Sequence, residues 1–173
     1  MANTAQPAAE RQYRWADERR EEFMTPLEEN LRAFFQNYAR TFHQDLNNFC
    51  DLYEIPSETV RLDGLVQRFD TKGTAVEFFT LAKKRYEEEG CAQWGIRGFV
   101  VEDRGGGRAR ATIDWDMKDA NGMPIRGWRQ TYDVIGGPIH WKVQHSTLHA
   151  GSEVAYPGLP NQALQTDGAS RRR

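Results

Sequence analysis

Residues 108–118 read Arg-Ala-Arg-Ala-Thr-Ile-Asp-Trp-Asp-Met-Lys, with a small or apolar side chain at every second position. This alternation is typical of a β-strand that buries one face and exposes the other. The face predicted to be buried consists of Ala109, Ala111, Ile113, Trp115 and Met117. Asp114 and Asp116 fall on the opposite face with Arg108 and Arg110, so we expect cross-strand ion pairs there rather than a pair of catalytic carboxylates.

The sequence around this stretch predicts further strands. Period-two patterns cover residues 91–102, 125–135 and 139–149, and glycine-rich turns separate them. Consecutive strands joined by such short turns pair antiparallel. Residues 91–149 are therefore expected to form an antiparallel meander.

The part of the chain before the meander has mainly helical periodicity. A first helix is predicted to begin at Thr25, and a short second helix is predicted to end at Pro56. A third helix is predicted over 72–89. Two short strands are expected around the turn pair Asp63-Gly64. Helices followed by an antiparallel meander predict an α+β fold, in which three helices pack on the concave face of a curved antiparallel sheet.

The composition restricts the class of protein. The chain has 173 residues, 39% hydrophobic residues and a formal net charge of −2, which favours one globular domain and gives no general attraction to nucleic acid or to a membrane surface. No apolar run reaches the roughly 18 residues of a membrane span. We expect an N-terminal arm at 1–22, one domain at 23–150 and a disordered tail at 151–173. The start lacks a secretory pattern and Cys50 and Cys91 lack metal or redox spacing, so a cytoplasmic protein with reduced thiols is expected.

The order of these elements and motifs resembles the nuclear transport factor 2-like superfamily, which includes SnoaL-like and ketosteroid isomerase-like proteins. The resemblance spans roughly residues 27–149. It rests on motifs in order: Tyr38 near the end of the first helix, Asp45 opening the second, Arg108-Ala109 with Trp115, Asn121-Gly122, Thr131-Tyr132 and Trp141-Lys142-Val143. The resemblance implies a cone-shaped sheet with a pocket between it and the helices. Because the superfamily contains both enzymes and non-enzymatic binders, fold does not decide function.

The resemblance to ketosteroid isomerase suggests two candidate catalytic residues. Tyr38 matches the oxyanion-binding tyrosine, or it is a core tyrosine with a bonded hydroxyl. Asp63 lies one position from the match to the base, or it is the first residue of a tight turn. Gln130 falls near the protonated acid of that site, and an amide cannot supply an acid. Steroid isomerisation is therefore not the favoured activity.

A third candidate comes from dehydratase-like members, which use histidine as a general base. Trp141, Val143 and His145 share a face of the last strand, so His145 is expected to line the pocket if that face looks inward; the alternative is a histidine near the rim of the sheet. His149 lies two strand repeats away, roughly 13 Å along the chain, which is too far for a shared metal ion. We expect no metal and no cofactor.

The expected pocket is aromatic with a few polar groups. Its predicted lining is Phe35, Tyr38, Trp94, Ile113, Trp115, Trp128, Gln130, Tyr132 and His145. Such a lining suits an apolar or aromatic small molecule held by one or two hydrogen bonds; the alternative is that the aromatic side chains fill the cone. Phe99 and Val101 are expected on the outer face, where they would support a homodimer. The sequence thus leaves two functions open: a small-molecule binder or enzyme of isomerase, dehydratase or cyclase type, and a non-catalytic interaction module.

Overall fold

The computed structural model describes residues 24–156. The helices there are α1 (Pro26–Gln44), α2 (Leu46–Cys50) and α3 (Lys72–Glu88). The strands are β1 (Tyr53–Val60), β2 (Val66–Phe69), β3 (Gln93–Gly105), β4 (Arg108–Lys118), β5 (Pro124–Ile135), β6 (Lys142–Leu148) and β7 (Val154–Ala155). They form one sheet in the order β2-β1-β6-β5-β4-β3, and the short β7 pairs with β5.

The predicted α+β class is confirmed, since the three helices pack against one curved, open sheet. β1 and β6 run parallel, and the other neighbouring strands run antiparallel. The sheet is therefore mixed, and its parallel pair joins the first strand, β1, to the last long strand, β6. Within the described residues, no helix combines the length and apolar character needed to cross a membrane.

The first helix begins where its sequence predicts. Thr25 accepts a hydrogen bond from the backbone N–H of Glu28, and the Glu28 carboxylate accepts one from the backbone N–H of Thr25, which completes a capping box. Leu31, Phe35, Tyr38 and other residues at helical spacing are buried against the sheet. This apolar face anchors α1 over the cone.

The alternation in β4 is also confirmed. All five predicted inward residues are buried, and Trp115 is fully inaccessible to solvent. On the outer face, Arg129 of β5 lies 2.8 Å from Asp114, and Arg97 of β3 lies 3.1 Å from Asp116. The two aspartates are thus members of cross-strand ion pairs, as their pattern predicts.

The prediction that Phe99 and Val101 lie on the outer face is wrong. The register between β3 and β4 shifts between Ile96 and Gly98, so that Arg97 is an extra residue in β3. A β-bulge of this kind changes which positions face inward. Phe99 and Val101 consequently pack against the core on the same side as Ile96, and they give no apolar outer patch on which a homodimer could rest.

Two predicted boundaries also differ. Pro56 lies inside β1 instead of at the end of a helix, because α2 is a single short turn that ends at Cys50. In the segment expected to be a disordered tail, Val154–Ala155 pairs with β5 and the Tyr156 hydroxyl donates to Asp116 at 2.7 Å. The predicted arm at 1–22 and residues 157–173 of the predicted tail lie outside the described residues.

Candidate functional site

A cavity of about 410 Å³ lies between α3 and the inner face of the sheet. Its wall is mainly aromatic, and its more exposed end is charged. The wall includes Tyr38, Phe42, Tyr53, Thr59, Phe78, Phe79, Ala82, Tyr86, Trp94, Trp128, Gln130 and Leu148, and the exposed end includes Arg61, Leu62, Asp63, Arg85, Glu89 and Arg126. The volume falls within the roughly 300–1,000 Å³ of small-molecule sites.

Four of the nine predicted lining residues lie on this wall: Tyr38, Trp94, Trp128 and Gln130. Phe35, Ile113, Trp115 and Tyr132 instead pack beneath it, where each is at most 1% exposed. These four fill the bottom of the cone, because α1 lies close enough to interlock its aromatic side chains with those of β4 and β5. The open space is therefore displaced towards α3 and β1.

The prediction that His145 lines the pocket is wrong. The β5–β6 register pairs Asp133 with His145 but Val134 with Val143, which leaves Gln144 as an extra residue in β6. Val143 and Ser146 are therefore both buried, and His145 points to the outer face. There its Nδ1 lies 3.8 Å from the Asp133 carboxylate, so His145 cannot act as a base in the cavity.

Asp63 lies at the exposed end of the cavity, in the turn between β1 and β2. Its carboxylate lies 3.0 Å from Arg61 and accepts a hydrogen bond at 3.1 Å from the backbone N–H of Leu65. Gly64 follows with a φ of 81°, a conformation that glycine adopts without strain. The turn interpretation therefore accounts for Asp63, and its carboxylate is engaged by the turn itself.

Tyr38 belongs to a buried chain of hydroxyl groups. The indole N–H of Trp115 donates to the Tyr132 hydroxyl at 2.9 Å, and the Tyr38 and Tyr53 hydroxyls lie 2.6 Å apart. Burial raises the pKa of Tyr38, Tyr53 and Tyr132 well above the usual value of a phenol. These tyrosines consequently stay protonated near neutral pH, where they donate hydrogen bonds and do not act as bases.

A second polar chain crosses the sheet side of the cavity. The indole N–H of Trp128 donates to the Gln130 side-chain oxygen at 3.1 Å, and the Gln130 amide donates to Ser146 Oγ at 3.1 Å. The Ser146 hydroxyl lies 3.0 Å from that of Thr59. Because both ends of its amide are bonded, Gln130 is held in one orientation.

The cationic side chain of Arg126 closes one side of the exposed end. It forms a two-point ion pair with Glu89, at 2.7 and 3.1 Å, and its guanidinium lies 5.6 Å from the ring centres of both Tyr86 and Trp128. Two parallel bonds and two aromatic contacts fix the position of this side chain. Arg126 thus packs against both Tyr86 and Trp128, whose rings stack on each other with centres 6.0 Å apart.

Sequence reasoning missed the contribution of α3 and β1 to the wall. Phe78, Phe79 and Tyr86 project from α3, and Tyr53 and Thr59 project from β1. The helical spacing of Phe79 and Tyr86 was a visible signal of an apolar face on α3. Which part of the sheet that face covers depends on packing between distant parts of the chain.

The hydroxyl pair of Tyr38 and Tyr53 gives a test of the buried chain. Tyr38→Phe or Tyr53→Phe leaves the remaining hydroxyl of the pair without its hydrogen-bond partner. Each change should therefore lower the free energy of unfolding by about 1–3 kcal/mol. The double variant should lose clearly less than the sum, because neither hydroxyl of this pair is then left without the other. Urea denaturation of the four proteins measures this; strictly additive losses would contradict the hydrogen-bonded pair.

The three helices and the curved sheet together define an α+β fold of the nuclear transport factor 2 type. Residues 28–151 match the family described as NTF2-like protein (DUF6841), and the chain belongs to that family. A comparison with curated proteins found no similar sequence.

Solved structures share the fold at low sequence identity. Aln2 from a Streptomyces species has a TM-score of 0.60 at 12% identity and covers 74% of this chain and 94% of its own. An NTF2-like protein with a cystatin-like fold from Novosphingobium aromaticivorans has a TM-score of 0.55 at 12% identity, and the alignment covers 94% of this chain and 98% of that protein. The yeast UBP3-associated protein BRE5 has a TM-score of 0.58 at 12% identity, and the alignment covers 77% of this chain and 100% of that structure. At these identities the likeness extends to the fold alone.

Proposed function

We propose that this protein binds one flat, mostly apolar small molecule in the cavity between α3 and the sheet. The observation that carries the proposal is the combination of an aromatic wall with fixed hydrogen-bonding groups, the tyrosine chain and the Gln130 chain. Aromatic faces provide area for a ring system, and a small number of oriented polar groups selects its position.

Binding is favoured over acid–base catalysis by the state of the ionisable groups. Among the described residues of the cavity, the carboxylates are Asp63 and Glu89, and both are ion-paired with arginine. The raised pKa of Tyr38 and Tyr53 makes them donors. The cavity can therefore bind and polarise a hydrogen-bond acceptor, such as a carbonyl oxygen, but its described groups include no free base to remove a proton.

The alternative is an interaction module that uses the outer face of the sheet. That face carries ion pairs such as Arg110–Asp133 and Arg129–Asp114, together with the hydroxyls of Thr112 and Thr131. An obligate protein interface is usually more apolar than this. The outer face therefore supports the alternative less well than the cavity supports ligand binding.

We also propose that the protein is cytoplasmic. The free, buried thiols of Cys50 and Cys91 support this location.

Thermal stabilisation by a panel of aromatic and polyketide-like compounds tests the proposal. A compound that binds the folded state, supplied at 100 times its Kd, should add about 2.7 kcal/mol to the free energy of unfolding and raise Tm accordingly. Because Trp94 and Trp128 lie on the wall, the same compound should change tryptophan fluorescence. No response across a broad panel of such compounds would favour the interaction module.

A further inference from the structure

A second concave surface lies on the other side of Trp94, between α1 and the edge strand β3. We call it the β3-edge groove. Its volume is about 650 Å³ and its lining consists of Arg32, Gln36, Ala39, Arg40, His43, Gln44, Ala92, Gln93, Trp94, Gly95 and Ile96. This surface takes no part in the cavity described above apart from the shared Trp94.

The lining pattern indicates an elongated groove that follows the edge of the strand. Five consecutive residues, 92–96, line it, whereas a surface over one face of a strand would be lined by every second residue. The helix contributes positions four, seven, eight, eleven and twelve residues after Arg32, which lie on one face of α1. From Arg32 to Gln44 the helix rises roughly 18 Å, and residues 92–96 span roughly 13 Å.

β3 is the last strand on its side of the described sheet, paired with β4 on one side only. An edge strand presents backbone N–H and C=O groups that a further strand can pair with. The bulge at Arg97 interrupts the regular pattern beyond Ile96, so residues 93–96 form the regular part of the free edge. This length is sufficient for about two pairs of ladder hydrogen bonds.

The described lining of the groove is positively charged, and some of its polar groups have no partner among the residues that the structure describes. Arg32 and Arg40 form no ion pair within the part of the chain that the structure describes, and the described lining contains no Asp or Glu. The Arg32 guanidinium lies over the Phe99 ring, while its Nε is buried and has no hydrogen-bond partner in the described part of the chain. The buried Nε2 of His43 likewise has no hydrogen-bond partner within residues 24–156. Buried groups of this kind are rare in folded proteins unless something else bonds them.

We propose that the β3-edge groove binds a short extended peptide segment that carries acidic side chains. The peptide backbone pairs with the free edge at residues 93–96, as in other cases of β-strand addition. Its carboxylates lie against Arg32 and Arg40, which have no acidic partner among residues 24–156. A groove of roughly 18 Å accommodates about five residues in extended conformation.

Selection from a random peptide library displayed on phage tests this proposal on the full chain. Sequences with acidic residues should be enriched, and a synthetic peptide made from the consensus should bind more weakly as salt concentration rises. The variant Arg32→Gln/Arg40→Gln should bind that peptide about tenfold more weakly or worse. Arg108→Gln, which removes an exposed arginine elsewhere, should leave the affinity unchanged.

Two further comparisons make the outcome decisive. N-methylation of the amides on one edge of the bound peptide should abolish binding, and methylation of the alternate amides should not, because only one edge can pair with β3. Failure to enrich acidic sequences, or equal binding to the protein and to a folded Arg32→Gln/Arg40→Gln variant, would overturn the proposal. Since the cavity beside α3 is not involved, a negative result here leaves the small-molecule proposal standing.

Discussion

Trp115→Ala should lower the free energy of unfolding by about 3–5 kcal/mol, which is the usual loss for a large aromatic side chain in a packed core. Trp115 is fully buried, stacks on Tyr38 with ring centres 6.3 Å apart, and donates its indole N–H to Tyr132. The change removes the packing and the hydrogen bond together. Because domains of this kind are stable by about 5–15 kcal/mol in total, the variant should be close to the limit of folding.

Urea denaturation followed by circular dichroism measures this loss, and two matched variants separate its causes. Trp115→Phe keeps most of the packing and loses the indole donor, so it should cost about 1–3 kcal/mol. Val100→Ala removes an exposed apolar side chain and should change stability by less than about 0.5 kcal/mol. A loss of less than about 1 kcal/mol in the free energy of unfolding of Trp115→Ala would be far below the usual loss for a packed aromatic residue. It would show that the bottom of the cone is not packed as described.

Ala82→Trp should abolish binding of any small molecule that stabilises the protein. Ala82 lies on α3 and lines the cavity, so an indole at this position occupies the space proposed for the ligand. We expect the affinity to fall at least about 100-fold, which corresponds to roughly 2.7 kcal/mol. Isothermal titration calorimetry with a compound from the thermal panel measures the change.

The control for this variant lies on the same helix. Lys84 is exposed and does not line the cavity, so Lys84→Trp should bind the compound with unchanged affinity. Thermal unfolding of Ala82→Trp must give a cooperative transition, because overpacking can cost about 1–3 kcal/mol. A folded Ala82→Trp protein that binds the compound as tightly as the unsubstituted chain would place the ligand outside this cavity.

The sequence predicts the fold well where the local pattern agrees with the global packing. β4 has no internal bulge, so alternation alone identifies its buried side chains, from Ala109 to Met117. The capping box at Thr25 likewise depends on residues that are close in sequence. Short-range physical chemistry is sufficient in both cases.

The errors in the site arise from long-range features. Single extra residues at Arg97 and Gln144 reverse the facing of β3 and β6, which places Phe99 inward and His145 outward. The alternation of β6 does not mark the position of its bulge, because a bulge is set by how two strands align. In β3, two residues instead of one separate Ile96 from Phe99, and this break coincides with the bulge. Tertiary packing also decides which part of the sheet α3 covers. The sequence therefore does not predict that β1 and α3 contribute to the cavity wall.

The cavity beside α3 is central to the proposed function, which requires it to be open and to bind a flat apolar molecule. A crystal structure of the protein with the compound that most raises its Tm tests this requirement most directly. We expect the compound between α3 and β5, with its rings against Tyr86 and Trp128 and an acceptor atom within hydrogen-bond distance of the Tyr53 or Gln130 side chain. A cavity closed by its own aromatic side chains, with the compound bound elsewhere, would contradict the proposed function.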